Sequence, residues 1–282
     1  MFMRYFYAFK MVIAVYIGKK SAENDERLAN LLASLQAGGC KCYAVDPLVG
    51  IQEGTDMVLS VGGDGTFLSV SKLVADSGVP VVGVNTGRVG FLSENRPEDV
   101  AEAILSGSYD IEDRTLLCAD VLNAEGAVLE TMSALNEITV HRSGPAVLGV
   151  DVVVDGKYLP TYWADGLVVS TSSGSTAYSL SVGGPIVLPQ SKVLLISPIA
   201  PHNLNVRPLV VPDTSEIGLR MQSRDGKFVF TADNLTRELP EEASIKVSVA
   251  RFSLRRVQLN KSDFINALTE KLFWGEDVRN IK

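Results

Sequence analysis

The sequence predicts two domains, an α/β N-terminal domain built on a parallel sheet and a mostly antiparallel, all-β C-terminal domain. Three observations predict them. Over the first third, short apolar runs alternate with stretches of helical spacing, the rhythm of β-α-β units. From about Thr115 that rhythm gives way to a succession of strand-like segments. The chain has 282 residues, enough for two modest cores. The first domain is expected over 1–114 and the second over 115–258, with a C-terminal helical segment, 259–282, completing the first.

Val12–Ile17 is apolar throughout and is ended by Gly18, so it reads as the first strand. A helix is expected from Glu23 to Leu35, because Leu28, Leu31, Leu32 and Leu35 share one face. Gly38-Gly39 stops it. Lys41–Val45 and Met57–Val61 are the second and third strands. Phe67, Leu68, Val70, Leu73 and Val74 have helical spacing, which predicts a helix from Asp64 to about Asp76. Pro80–Val84 is a fourth strand, and Pro97–Leu105 a helix with proline in its first turn. Strands are then expected over Leu116–Leu122, Ala134–Val140, Val147–Val154, Gly166–Ser170, Val193–Ile196, Glu216–Met221, Phe228–Thr231, Ser244–Ala250 and Ser253–Gln258. Asp155-Gly156 and Asp225-Gly226 are hairpin signals, and one helical insertion is expected after Ser175. Phe264, Leu268, Leu272 and Phe273 predict a last amphipathic helix that docks on the first domain.

Composition narrows the function classes. Hydrophobic residues make up 46% and charged residues 21%, as in a soluble globular protein, and the net charge is −7. No tract of five or more Lys/Arg occurs, which argues against a nucleic-acid partner. Cys40, Cys42 and Cys118 are odd in number and suit a reduced, cytoplasmic compartment. With only His141 and His202 beside them, neither a zinc site nor a metal held by protein side chains is expected. The apolar start is broken by Arg4 and Lys10, so neither a signal peptide nor a membrane span is expected, and residues 1–10 read as an extension before the first strand.

The segment carrying most information is Gly62-Gly63-Asp64-Gly65-Thr66-Phe67-Leu68. It follows a buried strand and opens a helix. Glycines allow a sharp turn and close approach of a ligand to the backbone. Free amides and the helix dipole favour a polyanion there. Asp64 is foreign to a pure phosphate cradle, but it suits a hydroxyl or a metal, and equally a helix N-cap. Phosphate loops ending in Gly-Lys-Ser/Thr and Gly-x-Gly-x-x-Gly fingerprints are missing, so a nucleotide enzyme here uses another design.

Four other segments stand out. Asn85-Thr86-Gly87-Arg88-Val89-Gly90-Phe91-Leu92 follows the fourth strand and is expected at the same sheet edge as Asp64, where Arg88 would supply positive charge or simply face solvent. Asn136-Glu137 heads a strand and suits ribose hydroxyls, though a solvated strand start reads the same. Ala164 to Pro185 runs from a strand through a Ser/Thr/Gly turn into a short helix, with hydroxyls for a sugar or phosphate and Tyr178 for a planar ring. Ser197 to Pro208 is a stiff, proline-rich loop around His202.

In this order these segments closely resemble the NAD kinase family over about residues 57–258. The glycine turn alone is shared with phosphofructokinases and lipid kinases. Its combination with Asn-Thr-Gly-Arg-Val-Gly-Phe-Leu, Asn-Glu and Ser-Gly-Ser-Thr-Ala-Tyr-Ser-Leu-Ser-x-Gly-Gly-Pro is far more specific. The resemblance implies phosphoryl transfer from ATP or polyphosphate, with Mg²⁺, to the 2′-hydroxyl of the adenosine ribose of NAD, giving NADP. It implies Asp64 as the catalytic carboxylate, with Gly65 and Phe67 beside the adenosine half. Asn136, Glu137, Asp165, Ser173, Thr176, Ala177, Tyr178 and Ser181 would hold the dinucleotide, partly from a neighbouring subunit of a homodimer or homotetramer. Gly62, Gly63, Thr66 and Arg88 are the candidates for the donor phosphates. Many members carry Asp-Gly-Gln near the end of the β domain. Asp233-Asn234-Leu235 is the counterpart here, with Asn expected to take the positive φ and Leu235 unable to replace the amide. A lipid kinase with the same glycine turn and a non-catalytic NADP(H) sensor are the rival readings. The first lacks a basic amphipathic helix for a membrane surface.

Overall fold

The computed structural model describes residues 11–18, 24–87, 90–259 and 264–272. They fall in two compact units, one drawn from 1–113 and 255–282, the other from 114–254. The first unit begins β1 (Val12–Ile17), α1 (Glu26–Ala37), β2 (Lys41–Ala44), β3 (Met57–Val61), α2 (Asp64–Val74), β4 (Val81–Val84), α3 (Pro97–Ser106) and β5 (Tyr109–Arg114). The second contains β6 (Leu117–Leu122), β7 (Val128–Ala134), β8 (Glu137–Arg142), β9 (Leu148–Val154), β10 (Lys157–Tyr158), β11 (Tyr162–Ala164) and β12 (Gly166–Thr171). After a 3-10 turn at Ser173–Thr176 come α4 (Tyr178–Ser181), β13 (Val193–Ile199), β14 (Leu209–Pro212), β15 (Ile217–Gln222), β16 (Lys227–Ala232), β17 (Leu235–Pro240) and β18 (Ser244–Val249). The chain ends in β19 (Leu254–Leu259) and α5 (Phe264–Leu272).

The first unit is a six-stranded sheet in the order β2-β1-β3-β4-β19-β5. Strands β1, β3 and β4 are parallel, with Ile17 opposite Val61 and Val61 opposite Val84. Their C-terminal ends therefore lie side by side, and the turns that follow β3 and β4 leave one edge of the sheet. Strand order reverses about β1, the kind of crevice where open α/β sheets bind ligands. Helix α1 starts at an Asp25 cap, whose side chain accepts from the Arg27 amide, and ends at Gly38. Its Leu28, Leu31 and Leu35 join Val100 and Ile104 of α3 and Ile13, Leu59, Val61 and Val84 of the sheet in one core. Glu23, where this helix was expected to begin, lies outside the described residues, as do residues 1–10 and Phe273.

One expectation about the sheets is corrected. The segment 253–258 was assigned to the β domain, but β19 lies in the first unit's sheet, parallel to β4. Val257 and Leu259 belong to the first core. Arg256 is buried and paired with Glu94 and Glu112, which locks the strand between the loop after β4 and β5.

The second unit has two antiparallel sheets. One runs β10-β9-β15-β18-β6-β7 with β11 on β9, the other β14-β13-β12-β8-β16-β17. Alternate residues such as Val121, Val150 and Val152 of the first and Val140, Val169 and Phe230 of the second share one core, as in stacked sheets. Asp155-Gly156 makes the expected β9–β10 hairpin, with φ of 50° and 76°. Asp225-Gly226 does not make one, because β15 and β16 lie in different sheets and the turn is a corner between them.

Removing one partner of a buried ion pair strands the charges left behind. Arg256→Leu is expected to lower stability by about 3–5 kcal/mol. Urea unfolding checks it, and a loss within experimental error would show that the pair does not hold β19.

Candidate active site

The turn between β3 and α2 is built by packing at its base and left open at its tip. Gly62 has φ of 151°, a conformation that favours glycine, and its amide donates to the Val84 carbonyl of the neighbouring strand. A Cβ at Gly62 or at Gly18 would come within 2.3 or 2.1 Å of Thr66 Oγ1. The Thr66 side chain thus fills the gap between the ends of β1 and β3. Gly63 and Gly65 differ. Both are exposed, neither has positive φ, and an added Cβ would meet nothing within 4 Å. The fold has no use for glycine at these two positions, whereas an approaching ligand does.

Asp64 is the first residue of α2, not its cap. Gly63 takes the cap position, and no side chain caps the helix. The carboxylate turns instead to the loop after β4. Oδ2 accepts from the Phe91 amide at 2.9 Å, and Oδ1 from the amides of Leu92 and Ser93 at 3.0 and 2.9 Å. Gly90 permits this approach, since a Cβ there would sit 1.9 Å from Oδ1. The loop is braced on its other side: Asn85 Nδ2 donates to the Ser93 carbonyl and Asn95 Nδ2 to that of Gly83. Phe67, expected beside an adenosine, is fully buried, so its ring is closed off from solvent. Arg88 lies outside the described residues.

Helix α5 docks on the same loop, as expected for the first unit. The Phe264 and Phe91 rings are 6.2 Å apart. Lys271 lies 4.3 Å above the Phe91 ring and donates to the Gly90 carbonyl. Sequence reasoning missed this lysine, because a single cation in a terminal helix carries no motif.

In the second unit, Asn136-Glu137 opens β8. The Asp233 carboxylate accepts from three consecutive amides there, those of Leu135, Asn136 and Glu137, at 2.8, 2.9 and 3.2 Å. Asp233 itself takes the positive φ of the β16–β17 turn, at 50°, where Asn234 was expected to. Leu235, the position lacking an amide, opens β17 and is exposed. Burial, with the Asp233 charge nearby, pushes the Glu137 carboxyl up to about 7, against a lowering contribution from the Tyr178 amide.

The Ser/Thr segment divides in two. Thr171, Ser172, Ser175 and Ser179 are buried, and their hydroxyls bond to Leu135, Pro189 and Val187 carbonyls and to Ser197 Oγ. These hydroxyls serve the fold, whereas the sequence reading offered the segment's hydroxyls to a sugar or phosphate. Ser173 is buried too and accepts from Arg114 Nη1 at 3.2 Å. Thr176, Ala177, Tyr178 and Ser181 are the accessible members. The Tyr178 ring stacks on His141, with centroids 5.7 Å apart and planes 11° apart. Asp165 pairs with Arg142 at 2.7 Å. Burial lowers the pKa of His141, partly countered by Asp165.

Among the described residues no group of three or more His, Cys, Asp or Glu is placed to hold a metal ion, and the three cysteines are free. Among those residues, too, no helix is long and apolar enough to cross a membrane.

The high Glu137 pKa makes stability depend on pH. The folded state binds this proton more tightly than the unfolded chain, whose carboxyl titrates near the ordinary value of 4.5. Stability from this group is therefore present at pH below about 4.5 and is lost as pH rises to about 7. Glu137→Gln is expected to remove a pH-dependent loss of about 2–3 kcal/mol over that interval. Urea unfolding of both proteins at pH 5 and pH 8 measures it, and identical pH dependence would contradict it.

Comparison with known proteins identifies the family. The ATP-NAD kinase N-terminal domain matches residues 14–109, and the ATP-NAD kinase C-terminal domain matches residues 135–259. A NAD kinase of Flavobacterium psychrophilum is 40% identical over 229 residues, 80% of this chain and 78% of its own length. One of Porphyromonas gingivalis is 42% identical over 242 residues, 84% of this chain and 82% of its own. Among solved structures, yeast NADH kinase complexed with NADH has a TM-score of 0.84 at 24% identity, covering 96% of this chain and 90% of that one. An NAD kinase from Archaeoglobus fulgidus in complex with ATP has a TM-score of 0.75 at 26% identity, covering 93% and 99%. With both domain models matched and such relatives spanning four-fifths of its length, the chain belongs to the NAD kinase family.

Proposed function

We propose that the chain transfers a phosphoryl group from ATP or polyphosphate to the 2′-hydroxyl of the adenosine ribose of NAD, giving NADP. The observation that supports this most is the open tip of the glycine turn. Gly63 and Gly65 are unconstrained by the fold, at the N-terminus of α2, with a carboxylate between them. That pairs a phosphate-favouring backbone with one proton acceptor.

The chemistry needs little covalent help from the protein. Positioning and charge neutralisation dominate phosphoryl transfer. A ribose hydroxyl is too weak an acid to ionise at neutral pH, so its proton must leave as the new O–P bond forms and the bond to the departing phosphate breaks. Asp64 would accept that proton. Its three amide bonds occupy three of about four acceptor positions on the carboxylate. The remaining one, on Oδ2, would orient the hydroxyl.

Gly62, Gly63, Thr66 and Arg88 are assigned to the donor side. Asn136, Glu137, Asp165, Ser173, Thr176, Ala177, Tyr178 and Ser181 are assigned to the dinucleotide, although Ser173 is buried and its hydroxyl accepts from Arg114. Mg²⁺ belongs to this reading as an ion that would be carried by donor phosphate oxygens and water, since it keeps several waters and binds largely through substrate phosphates. Its chemistry would be to offset charge on the donor phosphates. The reading includes a cytoplasmic homodimer or homotetramer.

A coupled assay for NADP, run with ATP, other triphosphates and polyphosphate, tests the reaction and names the donor. Asp64→Asn is expected to lower turnover by at least about 10²-fold while NAD still binds, the low end for a positioned acid–base group. A fully active variant would remove the assigned role.

A further inference from the structure

We propose that Asp233 is a positioning residue that sets the Asn136-Glu137 segment, and with it the affinity for the dinucleotide. The proposal rests on the NAD reading above. It arises from Asp233, remote in sequence and first residue of the Asp233-Asn234-Leu235 segment, whose sequence reading assigned roles to Asn234 and Leu235 but none to the acid. Its carboxylate gathers the amides of Leu135, Asn136 and Glu137 across 96 to 98 residues of chain. The bonding is two-way, since the Asp233 amide donates to the Glu137 carbonyl at 3.0 Å. Three successive amides aimed at one anion form a main-chain nest, which allows the segment little freedom.

The same segment holds the Ser/Thr turn. The Asn136 carbonyl accepts from the Thr171 amide at 2.9 Å, and a Cβ at Gly174 would lie 2.1 Å from that oxygen. Thr171 Oγ1 donates to the Leu135 carbonyl and accepts from the Gly174 amide. Asp233 thus orders the backbone on which both the β8 head and the turn before Tyr178 are seated. A shift of the nest would move both sets of groups together.

Charge adds a second effect. Glu137 Oε2 is buried with no hydrogen-bond partner in the protein, beside the Asp233 carboxylate. The groups facing Glu137 are Asp233 from the β16–β17 turn, Tyr178 from α4 and Ser170 opposite it in β12. Around Tyr178 stand His141 of β8 and Asp165, the latter paired with Arg142. Ribose hydroxyls donate to an ionised carboxylate, so the apparent KM for NAD is expected to fall as pH rises through the range in which Glu137 ionises.

The test is the pH dependence of KM and kcat for NAD in wild type, Asp233→Asn and Asp233→Glu, with calorimetric NAD binding alongside. Asp233→Asn removes a like charge and one acceptor. Its KM is expected to rise roughly five- to tenfold at pH 8, the effect of one charge-assisted hydrogen bond. Its KM–pH midpoint should move acid by about one unit. Asp233→Glu keeps the charge but displaces it, so KM should rise with the midpoint in place. In both, kcat should stay within about threefold, because the acid–base group is untouched. A role in stability alone would lower the active fraction without moving KM or its midpoint. Wild-type KM and midpoint in whichever variants fold would overturn the proposal while leaving the NAD reading intact. A wild-type protein that neither binds NAD nor forms NADP would overturn both.

Discussion

The first unit depends on one carboxylate that gathers successive main-chain amides. Asp64 joins the turn after β3 to the loop after β4 by three charge-assisted hydrogen bonds. Bonds of this kind contribute about 1.5–3 kcal/mol each, more than neutral ones. Their geometric effect is larger than their energy. They bring two loops from adjacent parallel strands to one point, with the acid at the N-terminus of α2. Gly90 and Gly83 exist for this approach, since side chains there would strike Asp64 and the Leu92 carbonyl. Thr66, wedged between Gly18 and Gly62, seats the turn from below.

The second unit repeats the device with different residues. Asp233 gathers the amides that open β8, and Thr171 ties the same segment to the turn leading into α4. In each case a short acidic side chain does what regular secondary structure does elsewhere: it satisfies consecutive backbone donors that have left a ladder. The acids differ in setting. Asp64 sits at a helix N-terminus, where negative charge is favoured. Asp233 sits beside Glu137, whose carboxyl is raised first by burial and further by the Asp233 charge.

Much of this was legible in the sequence for a physical reason. Strands β1, β3 and β4 are buried on both faces, so they read as unbroken apolar runs, and the glycine turn marks where the chain leaves the sheet. What escaped notice shares an opposite cause. Strands β5, β7, β14 and β17 all lie at sheet edges, where one side meets solvent and the apolar alternation fades. Strand β19 was read as a strand but placed in the wrong sheet, because nothing local shows which sheet a strand joins. The amide partners of Asp64 and Asp233 were unreadable, since main-chain donors look alike in every residue. The Ser/Thr segment invited a functional reading for all its hydroxyls, yet half of them fasten the turn internally.

The tie between the glycine turn and its neighbouring loop is open to direct measurement. Amide hydrogen exchange at Phe91, Leu92 and Ser93, followed residue by residue in wild type and in Asp64→Ala, reports whether a carboxylate holds those protons. Slow exchange in the wild type, accelerated by about tenfold or more in the variant with the rest of the sheet unchanged, is the result expected from losing charge-assisted bonds. Equal exchange at these three amides in both proteins would contradict it.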